Sequence, residues 1–390
     1  MKILVIDCNV LYFNPTRLFT PYVMSRLGDV TFYGPGYSSE DTLRHGIEKF
    51  IEKTGPYDAI IRTEHGMSEQ IVNENSVRLC KDKFEFYQKN YVLTCPVSHL
   101  DIFWKDRGVE KQYGCTNIVS MLQFDYQALG ENYYQYLVDE ADLIIGVNKD
   151  FWEKRDYGKL SVSKSYEHSN RWHELVTEHD ERIIGVPHFV VPNEFNYMSL
   201  CGRKTDWSIL GASYPRRREA KAILKSNNIS FDQGRNFSVY SMIFQQKLGL
   251  KPYSKESNVR KLNKLFFDKL ARSKFSYTCG SDMRMPIRKF LEIPASGSLL
   301  VCDPCIGFDK LGYEADVSAI VATPDDLPRL NKELLGDIEV AQSIALRGQQ
   351  VVLDNHTADI RAEQLRATIE RVIKKTYSGS YWSKGKLKFR

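Results

Sequence analysis

Apolar runs separated by polar, helix-like stretches recur through the first half of the chain. The runs are rich in valine, isoleucine and leucine, which is typical of strands buried on both faces of a parallel sheet. Helical patterns lie between them, at 39–54 and 131–140. This alternation predicts a helix-covered parallel sheet. The predicted strands span 2–7, 30–33, 58–63, 91–97, 116–123, 142–147 and 182–186.

A segment with two prolines, 187–195, interrupts this rhythm and is interpreted as an interdomain connection. Beyond it, strand and helix patterns resume, and Thr357 is a predicted N-cap for a last long helix. A chain of 390 residues is long enough for two cores. We therefore predict an α/β protein with two Rossmann-like domains that face each other across a cleft. The predicted divisions are 1–192, 193–355, and a returning helix with a basic tail at 356–390.

Charge and composition exclude several classes of protein. A net charge of +5 is mild, so no nucleic-acid partner is predicted. The first apolar run ends at Asp7 without a cleavage site, and no window has the roughly 20 apolar residues that a membrane span needs. These features predict a cytoplasmic protein. The eight cysteines are scattered and are expected to be reduced, and no metal site is predicted, because Cys302 and Cys305 have no second Cys/His pair nearby.

The tail 384–390 is basic and amphipathic. Such a segment is compatible with a weak contact to anionic lipid. The alternative is a solvated tail.

Several common motifs do not occur in the sequence. It has no dinucleotide-binding glycine fingerprint, no P-loop and no nucleophile elbow, and no Asp-x-Asp pair for a manganese-bound diphosphate. These observations disfavour dehydrogenases, P-loop enzymes and metal-dependent diphosphate sites.

A candidate anion site lies within 277–292. Gly280 and Ser281 predict a tight loop, and Pro286 is placed in the first turn of a helix, whose N–H groups would face a diphosphate. Arg288 and Glu292 are four residues apart, and Lys289 shares their face. The basic residues would hold phosphate oxygens while the carboxylate accepts ribose hydroxyls. The alternative is an ordinary surface ion pair between Arg288 and Glu292.

The segment 288–301 closely resembles the nucleotide-sugar motif of GT-B glycosyltransferases, especially the CgeB-like, group 1 branch. A basic residue precedes Phe-Leu-Glu, and a small-residue turn with Gly297 and an apolar strand follow. Three further segments resemble the family in the expected order: 192–195, 206–218 and 356–361. The resemblance extends over about 140–370.

This resemblance implies roles for individual residues. Glu292 would bind the ribose, Arg288 or Lys289 the diphosphate, and Arg216 and Arg218 would add charge beside the phosphates. The other predicted donor-site residues are Ser213, Gly280, Ser281 and Arg284.

One position departs from the family pattern. Retaining members often carry a second glutamate eight residues before the first, where this chain has Arg284. The retaining or inverting outcome is therefore left open.

Catalytic candidates in the first half follow predicted strands. Asp125 follows the strand at 116–123, and Glu64 and His65 follow the strand at 58–63. If the reaction inverts, one of them would take the proton of the acceptor hydroxyl. The alternatives are a helix-capping Asp125 and a structural loop His65.

Together these features predict an enzyme that moves a sugar from a nucleoside-diphosphate sugar, with UDP or GDP as the nucleotide, to a glycan or other hydroxyl acceptor. Neither a tightly bound cofactor nor a metal is expected. Two alternatives stay open: a nucleotide-sugar epimerase with the same donor pocket, and a non-catalytic glycosyltransferase-like binding protein.

Overall fold

A computed structural model describes residues 1–12, 18–63, 91–93, 95–96, 98–99, 110–122, 131–146, 149, 169–234, 237–281 and 284–390. Its first half contains a six-stranded, all-parallel sheet in the order β3-β1-β4-β6-β7-β8. A separate antiparallel pair is formed by β2 and β5. The strands are β1 Lys2–Ile6, β2 Val10–Tyr12, β3 Asp29–Tyr33, β4 Ala59–Thr63, β5 Tyr91–Leu93, β6 Thr116–Ser120, β7 Leu143–Gly146 and β8 Ile183–Gly185. The helices are α1 Phe19–Tyr22, α2 Glu40–Thr54, α3 Glu131–Glu140 and α4 Ser169–Glu178.

The second half contains a five-stranded parallel sheet in the order β10-β9-β11-β12-β13. Its strands are β9 Thr205–Ser208, β10 Phe231–Asp232, β11 Ser273–Thr278, β12 Leu299–Cys302 and β13 Ile320–Val321. The helices are α5 Pro215–Ser226, α6 Phe237–Lys247, α7 Glu256–Arg272, α8 Lys289–Ala295, α9 Leu327–Gly336 and α10 Ile338–Asn355. Two parallel, helix-covered sheets confirm the predicted α/β class with two Rossmann-like domains.

The last helix, α11 Ala358–Ile373, packs on the first sheet. Thr357 caps it, as the sequence predicts, because its Oγ1 accepts a hydrogen bond from the Ile360 N–H. Leu365 and Ile369 share one buried cluster with Ile3 and Val5 of β1. Burial of this apolar face holds the end of the chain against the first domain.

The tail forms a hairpin of β14 Ser380–Ser383 and β15 Lys386–Phe389. Trp382 is buried, and its Nε1 donates to the Gly185 carbonyl at 2.6 Å. Leu387 packs against clusters of both domains, while Lys386 and Lys388 remain exposed. The predicted lipid contact of this tail stays a prediction. Among the described residues, no helix has the length and apolar character required for a membrane span.

Two predicted elements differ from the structure. The strand predicted at 91–97 ends at Leu93 and pairs with β2 outside the six-stranded sheet, since Pro96 has no N–H for a central ladder. The helix predicted from Pro286 begins at Lys289. Arg284 adopts φ +52°, and a hydrogen bond from the Met285 N–H to the Gly280 carbonyl closes a loop first.

Candidate functional site

The strand order of the second sheet marks a place where a ligand could bind. Numbered within this sheet, the strands run 2-1-3-4-5, so the chain order reverses between β9 and β11. Ligands of such sheets bind outside the carboxyl ends of the strands at this switch point. The residues that follow β9 and β11 there include Gly211 and Gly280.

Gly211 lets the backbone approach a basic side chain closely. Its φ of +94° favours glycine, and a Cβ at this position would lie 2.5 Å from Cε and 2.9 Å from Nζ of Lys289. The same Cβ would lie 3.2 Å from an Nη of Arg217. The loop after β9 therefore brings two cations together at the switch point.

Arg217 is a buried cation in the first turn of α5. Its side chain is 1% exposed. Its two Nη atoms donate to the Ala212 carbonyl at 3.1 Å and to Thr278 Oγ1 at 2.9 Å. Within the described part of the chain its Nε has no hydrogen-bond partner and no carboxylate lies within ion-pair distance. The Tyr214 ring lies 5.1 Å from the guanidinium and compensates it in part. Since a buried charge without a carboxylate at ion-pair distance is costly, this arrangement favours an anionic ligand.

The start of α5 adds to the positive potential. Pro215 occupies its first turn, which contains no acidic residue. The free N–H groups of a helix N-terminus and its partial positive charge attract anions, phosphate groups above all.

Lys289 is the second cation beside Gly211, across from Arg217. Its Nζ stands 4.7 Å above the Phe266 ring and 3.8 Å from Oε2 of Glu292. Burial lowers the pKa of its ammonium, although Glu292 acts in the opposite direction. The side chain is 18% exposed, so a ligand can reach it.

Arg288, one residue earlier, faces the interdomain connection. It donates to both carboxylate oxygens of Glu194, at 2.5 and 2.7 Å, to Oε1 of Glu292 and to the Phe189 carbonyl at 3.2 Å. Its side chain is 3% exposed. Of the two basic residues considered for the diphosphate, Arg288 thus has its donors occupied by the protein, and Lys289 is the accessible one.

The charges around Arg288 shift the titration of both carboxyl groups. Burial raises the pKa of Glu194 despite the neighbouring guanidinium. Burial also acts to raise the pKa of Glu292, but Arg288 and Lys289 together bring it below its usual value. Glu292 is therefore the carboxylate that stays ionised beside the switch point. With Oε1 bound to Arg288, its Oε2 remains toward Lys289.

His188 is a residue of the first domain at this site, and it lies just beyond the carboxyl end of β8. Burial lowers its pKa to about 4, with Arg288 adding to the effect and Glu292 opposing it. The imidazole is neutral near pH 7. His188 is not among the site residues predicted from the sequence. Its position after the predicted strand at 182–186 is the feature that could have indicated a site residue.

Residues 356–361, one of the segments that resemble the family, hold the interdomain connection in place. His356 Nε2 lies 2.7 Å from the Leu311 carbonyl, and its Nδ1 contacts Arg361. Burial and Arg361 hold the pKa of His356 well below its usual value. A neutral ring donating from Nε2 and accepting at Nδ1 satisfies both contacts. Arg361 also donates to the Pro187 carbonyl at 3.1 Å.

The two arginines predicted beside the phosphates flank the buried one. Arg216 is largely exposed and pairs with Glu219 at 3.0 Å and Asp303 at 3.4 Å. Arg218 is exposed and donates to the Ser213 carbonyl at 2.7 Å. The missed residue, Arg217, had a signal in the sequence. It lies three and seven residues before Ala220 and Leu224 on the buried face of α5.

The predicted loop after β11 is present. A Cβ on Gly280 would lie 2.7 Å from the backbone of Arg284, so the turn requires glycine. Ser281 has φ +61°, and Arg284 is exposed at the far side of the turn. The catalytic candidates Glu64, His65 and Asp125 lie outside the described residues. The described part of the chain contains no group of three or more metal-ligating side chains.

Comparison with protein families gives one match. Residues 230–367, about a third of the chain, match a family model described as glycosyl transferase-like. This range includes the loop after β11, Arg288, Lys289 and Glu292. No curated protein sequence matches the chain.

Solved structures show more distant similarities. The Anabaena protein HepE in complex with UDP-glucose is 11% identical, with a TM-score of 0.49 over 95% of this chain and 99% of that one. A glycosyltransferase from Rickettsia africae is 10% identical, with a TM-score of 0.48 over 96% and 98%. Sucrose-phosphate synthase from Thermosynechococcus elongatus is 8% identical, with a TM-score of 0.46 over 96% and 100%.

Proposed function

We propose that this protein is a glycosyltransferase that moves a sugar from a nucleoside-diphosphate sugar to a hydroxyl of a glycan or other acceptor. The observation that carries the proposal is the buried Arg217, which lacks a carboxylate partner among the described residues and lies beside Lys289 at the switch point. The match of 230–367 to a glycosyl transferase-like family model supports the same conclusion.

In this proposal the diphosphate lies between α5 and Lys289. Arg217, Lys289 and the first N–H groups of α5 bind its oxygens. Oε2 of Glu292 accepts hydrogen bonds from the ribose hydroxyls, because Oε1 is already held by Arg288. In this proposal Ser213, Gly280 and Ser281 also lie beside the diphosphate, and Gly211 allows Lys289 to approach because it has no side chain.

The reaction forms a bond between the acceptor oxygen and the anomeric carbon. The bond from that carbon to the phosphate oxygen breaks, and its electron pair leaves with the nucleoside diphosphate. If the reaction inverts, the hydroxyl proton passes to a base, for which Asp125, Glu64 and His65 remain the candidates. If it retains, the departing phosphate of the donor takes this proton. The cations and helix N–H groups stabilise the leaving diphosphate, so we propose that no metal is needed.

Calorimetry with UDP and GDP, followed by thermal-shift measurements with their sugar conjugates, tests the donor site. A ligand at a hundred times its Kd should stabilise the protein by about 2.7 kcal/mol. Lys289→Ala should weaken binding, whereas the matched Arg218→Ala should not, since Arg218 is exposed and, among the described residues, its side chain hydrogen-bonds only to the Ser213 carbonyl.

Turnover as well as binding must be measured to distinguish a transferase from an epimerase or a non-catalytic protein. Binding with release of nucleoside diphosphate only when an acceptor is added supports transfer. Conversion of the nucleotide-sugar alone to an isomer would identify an epimerase instead. Binding without turnover across a panel of acceptors would favour a non-catalytic protein, and absence of any binding would refute the donor site.

A further inference from the structure

The surface of α6 and the residue just beyond it is apolar and exposed. Phe237, Tyr240, Phe244 and Leu248 are 87%, 52%, 62% and 62% exposed. Their spacing of three or four residues places the aromatic side chains on one side of the helix, and Leu248 continues the row. We call these four residues the α6 surface.

The opposite side of α6 is also apolar. Met242 is buried there at 4% exposure. A helix that is apolar on both sides is normally covered on both, and exposed apolar patches mark interaction sites. The α6 surface is therefore a place where a partner is expected.

Among the described residues, the unpaired charges beside this surface are basic, since Asp232, which lines a pocket together with Tyr240, is ion-paired with Lys269 at 2.6 Å. Lys247, Lys251 and Lys255 are exposed, and within the described residues none of them is in an ion pair. The sequence has no aspartate or glutamate between Asp232 and Glu256. A basic border without acidic residues complements an anionic partner.

We propose that the α6 surface docks the protein on an anionic lipid bilayer. Exposed aromatic and leucine side chains beside lysines are the combination that binds the boundary between headgroups and acyl chains. Phe237, Tyr240, Phe244 and Leu248 enter this boundary, and the lysines contact anionic headgroups. An anionic bilayer accounts for both features together, because its acyl region receives the apolar row and its headgroups attract the lysines.

The docking surface lies close to the proposed donor site, although it does not depend on sugar transfer. The chain enters α6 from the carboxyl end of β10, the same sheet edge that carries Gly211. Gly234, between β10 and α6, packs against Leu210, with a Cβ there lying 3.2 Å from Leu210 Cδ2.

Co-sedimentation of the full chain with vesicles tests the proposal without any nucleotide. Vesicles of phosphatidylcholine alone and of phosphatidylcholine mixed with phosphatidylglycerol are compared at low and high salt. We expect binding to the anionic vesicles that weakens with salt. Replacing Lys247, Lys251 and Lys255 with glutamine should reduce the partition coefficient about fivefold for each lysine, about a hundredfold together.

Matched variants separate this surface from others. Phe237→Ser with Phe244→Ser should also abolish binding, whereas Leu346→Ser removes a 53% exposed leucine of α10 and should not. Changing Lys384, Lys386 and Lys388 of the tail hairpin to glutamine tests whether that hairpin carries the contact. Circular dichroism checks that every variant is folded.

Three results would overturn the proposal. The first is absence of the wild-type protein from the anionic-vesicle pellet. The second is loss of vesicle binding in the tail variant while the α6 variants still bind. The third is a concentration-dependent dimer that Phe244→Ser dissociates, which would identify a second copy of the chain as the occupant.

Discussion

Replacement of Arg217 by methionine separates a ligand-binding arginine from a structural one. Methionine keeps most of the side-chain length and removes the charge. In the structure Arg217 donates to two neutral oxygens, of Ala212 and Thr278, and has no carboxylate partner among the described residues. The free protein therefore loses two hydrogen bonds from a charged donor to neutral oxygens and a cation–π contact with Tyr214, and at the same time no longer buries a charge.

The two effects on stability oppose each other. Each hydrogen bond with a charged partner contributes about 1.5–3 kcal/mol, so their loss costs about 3–6 kcal/mol. Relief of the desolvation of this buried guanidinium offsets a cost of similar size. We expect Arg217→Met to change the free energy of unfolding by no more than about 1 kcal/mol, which corresponds to about 2–4 °C in Tm.

The effect on nucleotide affinity is large by comparison. A charge-assisted hydrogen bond to phosphate contributes about 1.5–3 kcal/mol, so its loss raises the Kd for UDP or GDP about 10- to 150-fold. Differential scanning calorimetry measures the Tm, and isothermal titration calorimetry the Kd. Arg218→Met, at the exposed neighbour, is the control and should leave both quantities unchanged. A fall in Tm of 10 °C or more with an unaltered Kd would show that Arg217 is structural and would refute this reasoning.

Three further predictions concern the same region. Gly211→Ala should lower the Tm and weaken nucleotide binding, because its φ of +94° disfavours alanine and the new Cβ would displace Lys289; wild-type affinity in the variant would contradict this. Arg288→Met should destabilise the protein by about 3–5 kcal/mol in thermal denaturation, since it leaves Glu194 and Glu292 buried without their cation, and an unchanged Tm would count against the ion-pair network. Stability should fall as the pH drops from about 6.5 towards 4, because the unfolded chain binds protons on His188 and His356 before the folded protein does. His188→Gln should reduce the slope of this part of a pH–Tm profile while His356 maintains the rest, and an identical profile would exclude His188 as a contributor.

Parallel strands were predictable because their residues are apolar on both faces. Lys2–Ile6 and Ala59–Thr63 occupy the centre of the first sheet, where burial leaves a continuous apolar pattern in the sequence. The edge strands β3 and β8 of this sheet were also predicted, but the short strand β10 and the tail hairpin have no such pattern. β10 consists of Phe231 and Asp232 alone, and the hairpin of β14 and β15 alternates buried and exposed residues within a basic tail.

Arg217 was missed for a physical reason. Three consecutive arginines at the start of α5 have the same chemistry, and the sequence favours the exposed pair because buried arginine is rare. Helix geometry decides otherwise, since only Arg217 shares the inward face with Ala220 and Leu224. A charged residue on the buried face of a helix that follows a switch-point strand is therefore a stronger signal for an anion site than the number of neighbouring charges.

The two basic residues of the motif at 288–292 point to different sides of one helix turn. Arg288 points toward the interdomain connection and binds Glu194, whereas Lys289 points toward Gly211 and the switch point. Glu292 contacts both cations, which keeps its carboxylate ionised between the two sides. In the proposed donor site, accessibility therefore favours Lys289 over Arg288 for the diphosphate. Arg288 holds the start of the same helix against the interdomain connection. A substitution at 288 should therefore alter nucleotide binding only through the position of Lys289 and Glu292. We expect Arg288→Lys to weaken binding less than Lys289→Ala in the same calorimetric titration.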